Sequence, residues 1–341
     1  MRKLNFVIKI VICVYMVSVA AAQTETFPEA HSPAIQNSDV NKISDGSRFD
    51  SIISSGYRPR ASDSLLELNY FNYNYTMGLT ASSTTISGSV KFADIKSTAS
   101  YVEANYIYAL SDKSNIKISV ENTFNKGSSY NYTADAKSVG YSDYSTSKKG
   151  FAESVLTVDR LFKNADDLRI VGAVNLSPGL GSASDTNSLR GGSAIGFGFD
   201  LYKSNGKIEF NTGVSYWSYM AQAYDDGKSS NETTGGNLLT VKVGANVFIE
   251  SNASFGIEIG RKQYDSSTTK YKNNTTPYET AGYGSTSYLI GYKNALSKDL
   301  AFQIGYYGES IDSSVLKVST TKITSDQTTA TGFGLGLKIG F

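Results

Sequence analysis

The charged residues that could do chemistry in this 341-residue chain recur at alternate positions within apolar runs. Lys117, Glu121, Glu153, Asp159, Arg169, Glu209, Lys242, Glu258, Lys293 and Glu309 are the main set. With Lys207, Lys262, Lys338, Glu103 and Asp200 added, the two signs nearly cancel. Brought to one surface, such a mixture can pair internally or hold water, but it gives no ring of one sign that would select strongly for cations or anions. General-base or nucleophilic catalysis of the common kind lacks its usual partner, because the only histidine is His31, in an irregular stretch. Asp225 and Asp226 before Gly227 read as a solvated loop, since two acids without further spaced ligands do not make a calcium site. The strings GFGFD and GFGLGLKIG carry glycines two apart inside strand patterns, not at the opening of a helix, so the dinucleotide fingerprint fails. No residue pattern requires a cofactor or a metal.

The spacing itself identifies the elements that must hold these charges. Ile116, Ile118, Val120 and Phe124 alternate with Lys117, Ser119, Glu121 and Thr123. Val241, Val243, Ala245 and Val247 alternate in the same way with Thr240, Lys242, Gly244 and Asn246. Period two is the signature of a β-strand with one apolar and one polar face. Runs of this kind, roughly ten residues long, flank five short polar clusters: SDKS at 111–114, NADD at 164–167, KSNG at 203–206, ESNA at 250–253 and SKD at 297–299. These read as tight hairpin turns. Between the hairpins lie much longer Ser-, Thr-, Asn- and Tyr-rich stretches, at about 128–150, 178–191, 221–236, 266–282 and 312–328. Short and long connections alternate, which predicts a sheet with one trimmed end and one shaggy end.

The termini bound the class further. MRKLNFVIKIVICVYMVSVAAAQ runs from basic residues through an apolar stretch to Ala20–Ala21–Ala22, the order of a secretory signal peptide, with cleavage expected after Ala22. Thirteen residues are too few for a helical span, which needs about 20. Loss of Arg2, Lys3 and Lys9 takes the formal charge from +1 to −2. The single cysteine, Cys13, leaves with the same segment, so a disulfide scaffold is excluded. A near-neutral balance gives no case for nucleic acid. At the other end, TGFGLGLKIGF places Phe333, Leu335, Leu337, Ile339 and Phe341 on one face.

Signal peptide, alternating strands, loop asymmetry and the closing TGFGLGLKIGF together resemble the bacterial outer-membrane β-barrel proteins over about residues 64–341. The resemblance implies an antiparallel up-and-down barrel, with short periplasmic turns and long external loops. It also implies that Phe333, Leu335, Leu337, Ile339 and Phe341 form a carboxy-terminal signal read by the barrel assembly machinery. The fold class is therefore all-β, with twelve strands expected: ten from the five hairpins, the terminal strand, and LELNYFNYNY at 66–75. TTISGSVKFADI at 84–95 also alternates, and is either a folded loop, an extension of a neighbouring strand or part of a fourteen-stranded arrangement. The phase change within LELNYFNYNY suggests a bulge. Tyr108, Phe162, Tyr202, Phe248, Tyr292 and Phe341 are expected to form an interfacial girdle at the trimmed end.

The polar face then looks inward, with the ten charged residues named first as the lining of a narrow lumen. The expected function is porin-like passage of small hydrophilic solutes across the outer membrane. The alternatives are a gated carrier of hydrophobic compounds similar to the fatty-acid channels, and a barrel that acts through its external loops. The hydrophobic alternative expects a greasy pocket, but inward apolar residues are few beyond Val155, Leu161, Val171 and Leu289, which counts against it. Residues 23–63, with Pro28 and Pro33 and no strand period, form either a periplasmic leader or a plug that enters the lumen. Expected partners are outer-membrane lipid, the assembly machinery and small solutes. Oligomeric state is not readable from the residues.

Overall fold

A computed structural model describes residues 48–83, 86–138, 140, 142–178, 193–225, 230–271, 276–319 and 321–341. The expected signal peptide, His31 and Asp226 lie outside the described residues, as do the side chains of Glu153 and Asp225. A single 3-10 turn, Arg48–Asp50, opens the described chain. In order, the strands are β1 (Ser64–Ser83), β2 (Ile86–Ser111), β3 (Ser114–Tyr132), β4 (Tyr144–Ala165), β5 (Leu168–Pro178), β6 (Ser193–Asn205), β7 (Ile208–Tyr219), β8 (Gln222–Asp225), β9 (Ser230–Gly235), β10 (Leu238–Glu250), β11 (Ala253–Tyr264), β12 (Ser267–Tyr271), β13 (Tyr278–Thr280), β14 (Tyr283–Ser297), β15 (Leu300–Ile311), β16 (Val315–Val318), β17 (Thr321–Ser325) and β18 (Thr328–Gly340). One short helix, α1 (Ala134–Ser138), stands between β3 and β4.

Twelve of these strands close into an antiparallel barrel. Pairing runs β1 to β7 in sequence, then from β7 to β10, β10 to β11, β11 to β14, β14 to β15 and β15 to β18, and finally from β18 back to β1. The seam joins the chain's two barrel ends: Leu66 faces Ile339, Leu68 faces Leu337, and Ser64 and Phe341 exchange backbone hydrogen bonds at 3.1 and 2.9 Å. Closure leaves no unpaired backbone edge in the wall, which a lipid environment would penalise by several kcal/mol per orphan group. All five predicted tight turns are hairpin turns. At one of them Gly206 takes φ of 60°, a left-handed conformation that glycine adopts without steric cost.

The long connections hold more order than their composition suggests. Six short strands, β8, β9, β12, β13, β16 and β17, lie beyond the long-loop end, and β17 pairs with the outer part of β1 at Leu79–Ser83. Residues 86–95 are the outer end of β2, paired with both β1 and β3 where described, so the fourteen-stranded alternative does not apply. LELNYFNYNY contains no bulge: register with β2 is continuous from Ser64 to Leu79. Its apparent phase change arises because Leu66, Leu68 and Tyr70 lie on one face while Phe71, Tyr73 and Tyr75 lie on the other. The strand changes from lipid-like outer residues to aromatic inner ones.

Side-chain exposure fixes which face looks outward. Val241, Val243 and Val247 are 44–51% exposed, as are Phe255, Ile257 and Ile259 at 45–54%. Between them Lys242, Gly244, Asn246, Gly256 and Glu258 are half-buried or buried. An apolar exterior around a polar interior inverts a water-soluble sandwich and is the arrangement of a membrane barrel. Phe162 and Phe341 of the expected girdle do point outward. Phe248 does not: it is 2% exposed and packs inside, on Ile52, Ile53, Leu65, Ala295 and Ala301. Tyr202 is also turned inward, towards Gly56. Both belong to the even-numbered inner faces of their strands, a parity that counting aromatics by level overlooks.

Candidate functional site

The interior is built in two storeys. At the short-turn end it is occupied by the segment from Arg48 to Arg60. Its two consecutive isoleucines, Ile52 and Ile53, are 2% and 1% exposed and enter the apolar cluster with Leu65 and Phe248, while Tyr57 and Ile107 pack against that cluster. Polar anchors come from strands distributed around the wall. Arg169 on β5 donates to the carbonyls of Phe49 at 3.1 Å and Gly56 at 2.9 Å, pairs with Asp50 at 2.9 Å, and stands 5.0 Å from the centre of the Phe49 ring. Glu209 on β7, fully buried, accepts from the Ser54 hydroxyl, from the Ser55 backbone N–H at 2.8 Å and from Asn246 on β10 at 3.0 Å. Arg58 pairs with Asp159 on β4 at 2.5 Å, and Lys293 on β14 donates to Ser55 Oγ at 3.3 Å. One chain segment can reach β4, β5, β7, β10 and β14 only from inside the barrel.

This answers the cost of burying charge. An unpaired ion removed from water is penalised by several kcal/mol, and here the inner segment supplies partners for Arg169, Glu209, Asp159 and Lys293. Other inward charges pair across the wall: Glu67 with Lys338 at 3.1 Å, Asp200 with Lys242 at 3.2 Å and Lys262 with Glu309 at 3.1 Å. Gly213 permits the second pair, because a Cβ there would collide with the Asp200 carboxylate and approach Lys242 Cε to 2.6 Å. Lys117 lines a cavity of about 430 Å³ together with Asp159, Asp200 and Lys242, bounded on one side by Ser55–Pro59. Glu121 lies in register between Glu103 and Glu153. Of the nominated charges, the structure thus gathers Asp159, Arg169, Glu209 and Lys293 around one segment. It leaves Glu121 on the β2–β4 wall, and Glu258 and Glu309 in the outer storey.

The outer storey is a chamber of about 530 Å³ with a strongly aromatic wall. Phe71 and Tyr101 stack with ring centres 5.1 Å apart, and Tyr73 meets Tyr101 edge-on at 6.2 Å. Four strands round the wall, Tyr264 and Tyr283 stack at 4.7 Å. Beside them Glu309 accepts from Ser285 at 2.5 Å, from Tyr307 and from Lys262. Farther out Tyr130 and Tyr144 are nearly parallel at 4.3 Å. A smaller cavity of about 100 Å³ shares Phe71, Glu258 and Leu289 with this chamber's lining and is also lined by Ser55 and Lys293 of the inner storey. Charge spacing alone passes over these aromatics. The signal was present in the run of tyrosines at 70–75, whose odd members share the parity of Glu67.

At the carboxy terminus, Phe333 and Leu335 are outward and exposed, Leu337 and Ile339 are half-buried beside Phe302 and Leu300, and Phe341 closes the seam.

No family model and no curated protein sequence matches the chain. Among solved structures, an outer membrane channel from Pseudomonas putida F1 superposes with a TM-score of 0.52 at 12% identity, over 84% of this chain and 99% of that one. The outer membrane protease OmpT from Escherichia coli gives 0.41 at 8% identity over 83% and 98% of the two chains. The toluene transporter TodX of P. putida gives 0.40 at 12% identity over 82% and 90%. The last two overlaps are too low to carry an argument. The first shows a shared fold, that of a closed antiparallel β-barrel.

Proposed function

We propose that the protein is a channel of the bacterial outer membrane that passes small hydrophilic solutes, and that its Arg48–Arg60 segment throttles the periplasmic end. The observation that carries this reading is the segment's attachment to five strands from within, through Arg169, Glu209, Asp159, Asn246 and Lys293. Such anchoring makes a stopper of a stretch that has no strand of its own. The lumen around it is polar and paired, with two cavities against the segment and a third among the outer tyrosines, which suits water and small solutes better than hydrocarbon. The same reading expects acyl chains against the apolar exterior, and recognition of Phe333–Phe341 by the assembly machinery during insertion.

Planar-bilayer conductance tests the proposal. The intact chain should give small, infrequent openings, and a variant lacking residues 23–63 should give larger ohmic steps. Silence from both, in protein shown to be folded by heat-modifiable migration, would overturn it.

A further inference from the structure

We infer that the tyrosine-walled outer chamber is a binding site for neutral saccharides of one to three rings, a step that rests on the channel reading above. Its volume of about 530 Å³ falls within the ordinary range of small-molecule pockets, about 300–1,000 Å³. Two kinds of surface meet in it. Phe71, Tyr73 and Tyr101 on one side, and Tyr283 with the buried Tyr264 stacked on it on another, line the chamber with aromatic surface, and the electron-rich faces of such rings attract C–H groups. Between them the Glu309 carboxylate, held by Ser285, Tyr307 and Lys262, offers fixed hydrogen-bonding groups, with Glu258 below.

A sugar ring has the matching pair of surfaces: a face of C–H groups and a rim of hydroxyls that both donate and accept. A hydrocarbon would satisfy the rings but strip water from Glu258 and from the Lys262–Glu309 pair, and taking charges out of water is costly even when they are paired. An anionic ligand would meet two carboxylates against one ammonium. The chamber shares Phe71, Glu258 and Leu289 with the smaller cavity that Ser55 also lines, so a ligand held there lies next to the inner segment.

The test is titration calorimetry on the full refolded chain with maltotriose, cellotriose and lactose, with toluene and uridine as controls, alongside bilayer recordings. Saturable heat with at least one saccharide is expected, and brief current interruptions should appear with the same sugar. Tyr101→Ala should weaken binding about tenfold, while Tyr101→Phe stays within about twofold, because the ring face supplies the stacking. Tyr73→Ala serves as a second variant should the first fail to fold. A chain that conducts but shows no saturable binding of any of the three sugars would overturn the inference. So would saturation by toluene or uridine alone. Saccharide binding by a chain that never conducts would sustain the site and overturn the channel reading instead.

Discussion

Arg169 and Phe49 are joined twice: the guanidinium donates to the Phe49 carbonyl at 3.1 Å and lies 5.0 Å from the centre of its ring. The two residues are 120 positions apart. The contact therefore reports docking of the inner segment onto β5 and not local folding. Replacing Arg169 with alanine removes the donors to Phe49, Gly56 and Asp50 together. Loss of charged hydrogen bonds at a buried site costs on the order of 2–4 kcal/mol, and almost all of it should fall on segment docking. The expected outcome is a rise in channel open time with unchanged heat-modifiable migration of the barrel; equal open times in Arg169→Ala and the parent would contradict it.

Gly56 supplies an opposite kind of perturbation. A Cβ at this position would stand 2.8 Å from Phe49 Cδ1 and 3.1 Å from Tyr202 Cγ, so an added methyl must push the segment off the wall. Overpacking of this degree costs roughly 1–3 kcal/mol. Gly56→Ala should increase protease cleavage within residues 48–60 while the barrel core remains resistant, read by mass spectrometry of the fragments.

Glu209 tests whether the segment is held by charge or by shape. Its carboxylate collects Ser54, Ser55 and Asn246, and its removal as Glu209→Ala leaves several buried donors without an acceptor, at about 1–3 kcal/mol for each group that water cannot reach. Glu209→Gln keeps one carbonyl acceptor and the volume. Conductance should rise strongly in the first variant and weakly in the second. Equal effects would assign the docking to Ile52 and Ile53 instead.

What could be read from the residues follows their sequence distance. Lys242 and Val241 are neighbours whose opposite placement needs only a period of two, and the hairpin turns at 111–114 and 297–299 are equally local. Arg169 was visible as an inward charge, but its partners Phe49, Asp50 and Gly56 were not, because segment 48–60 has neither strand period nor helical period to announce an interior location. Ile52 and Ile53 are its apolar anchor, yet two adjacent isoleucines in a polar stretch specify no partner. Phe248 and Tyr202 were misplaced for a related reason: strand-end aromatics suit both a lipid girdle and an inner cluster, and only the parity of their own strands separates the two. The outer strands β12, β13, β16 and β17 are three to five residues long, too short for alternation to register against a Ser/Thr-rich background.

Val241 and Lys242 give the direct test of the barrel's orientation. Val241 is 44% exposed on the outer face, while Lys242 pairs with Asp200 inside at 3.2 Å. Spin labels at the two sites in liposomes should report oxygen access at 241 and access of a water-soluble nickel chelate at 242. Val241→Arg should destabilise the folded barrel by about 2–4 kcal/mol if the site lies near the bilayer midplane, read from urea unfolding in lipid.

Asp143 makes the outer connection between β3 and β4 sensitive to acid. The Lys137 ammonium beside it, at 2.6 Å, and the Tyr132 backbone N–H, at 2.8 Å, hold its carboxyl below the usual carboxylate range. A carboxylate whose pKa is depressed by folding contributes order that is complete above its unfolded value, about 3.9, and is lost as pH falls through the lower folded value. The turn that carries α1 should accordingly stay intact at pH 5 and loosen only in strong acid. NMR titration of the Asp143 carboxyl carbon should give a midpoint below that of a model peptide, with the Tyr132 amide resonance moving at the same midpoint. Asp143→Asn keeps an acceptor for Tyr132 but removes the ion pair, so the acid transition of the Tyr132 amide should disappear. Its persistence in that variant would assign the transition to another group.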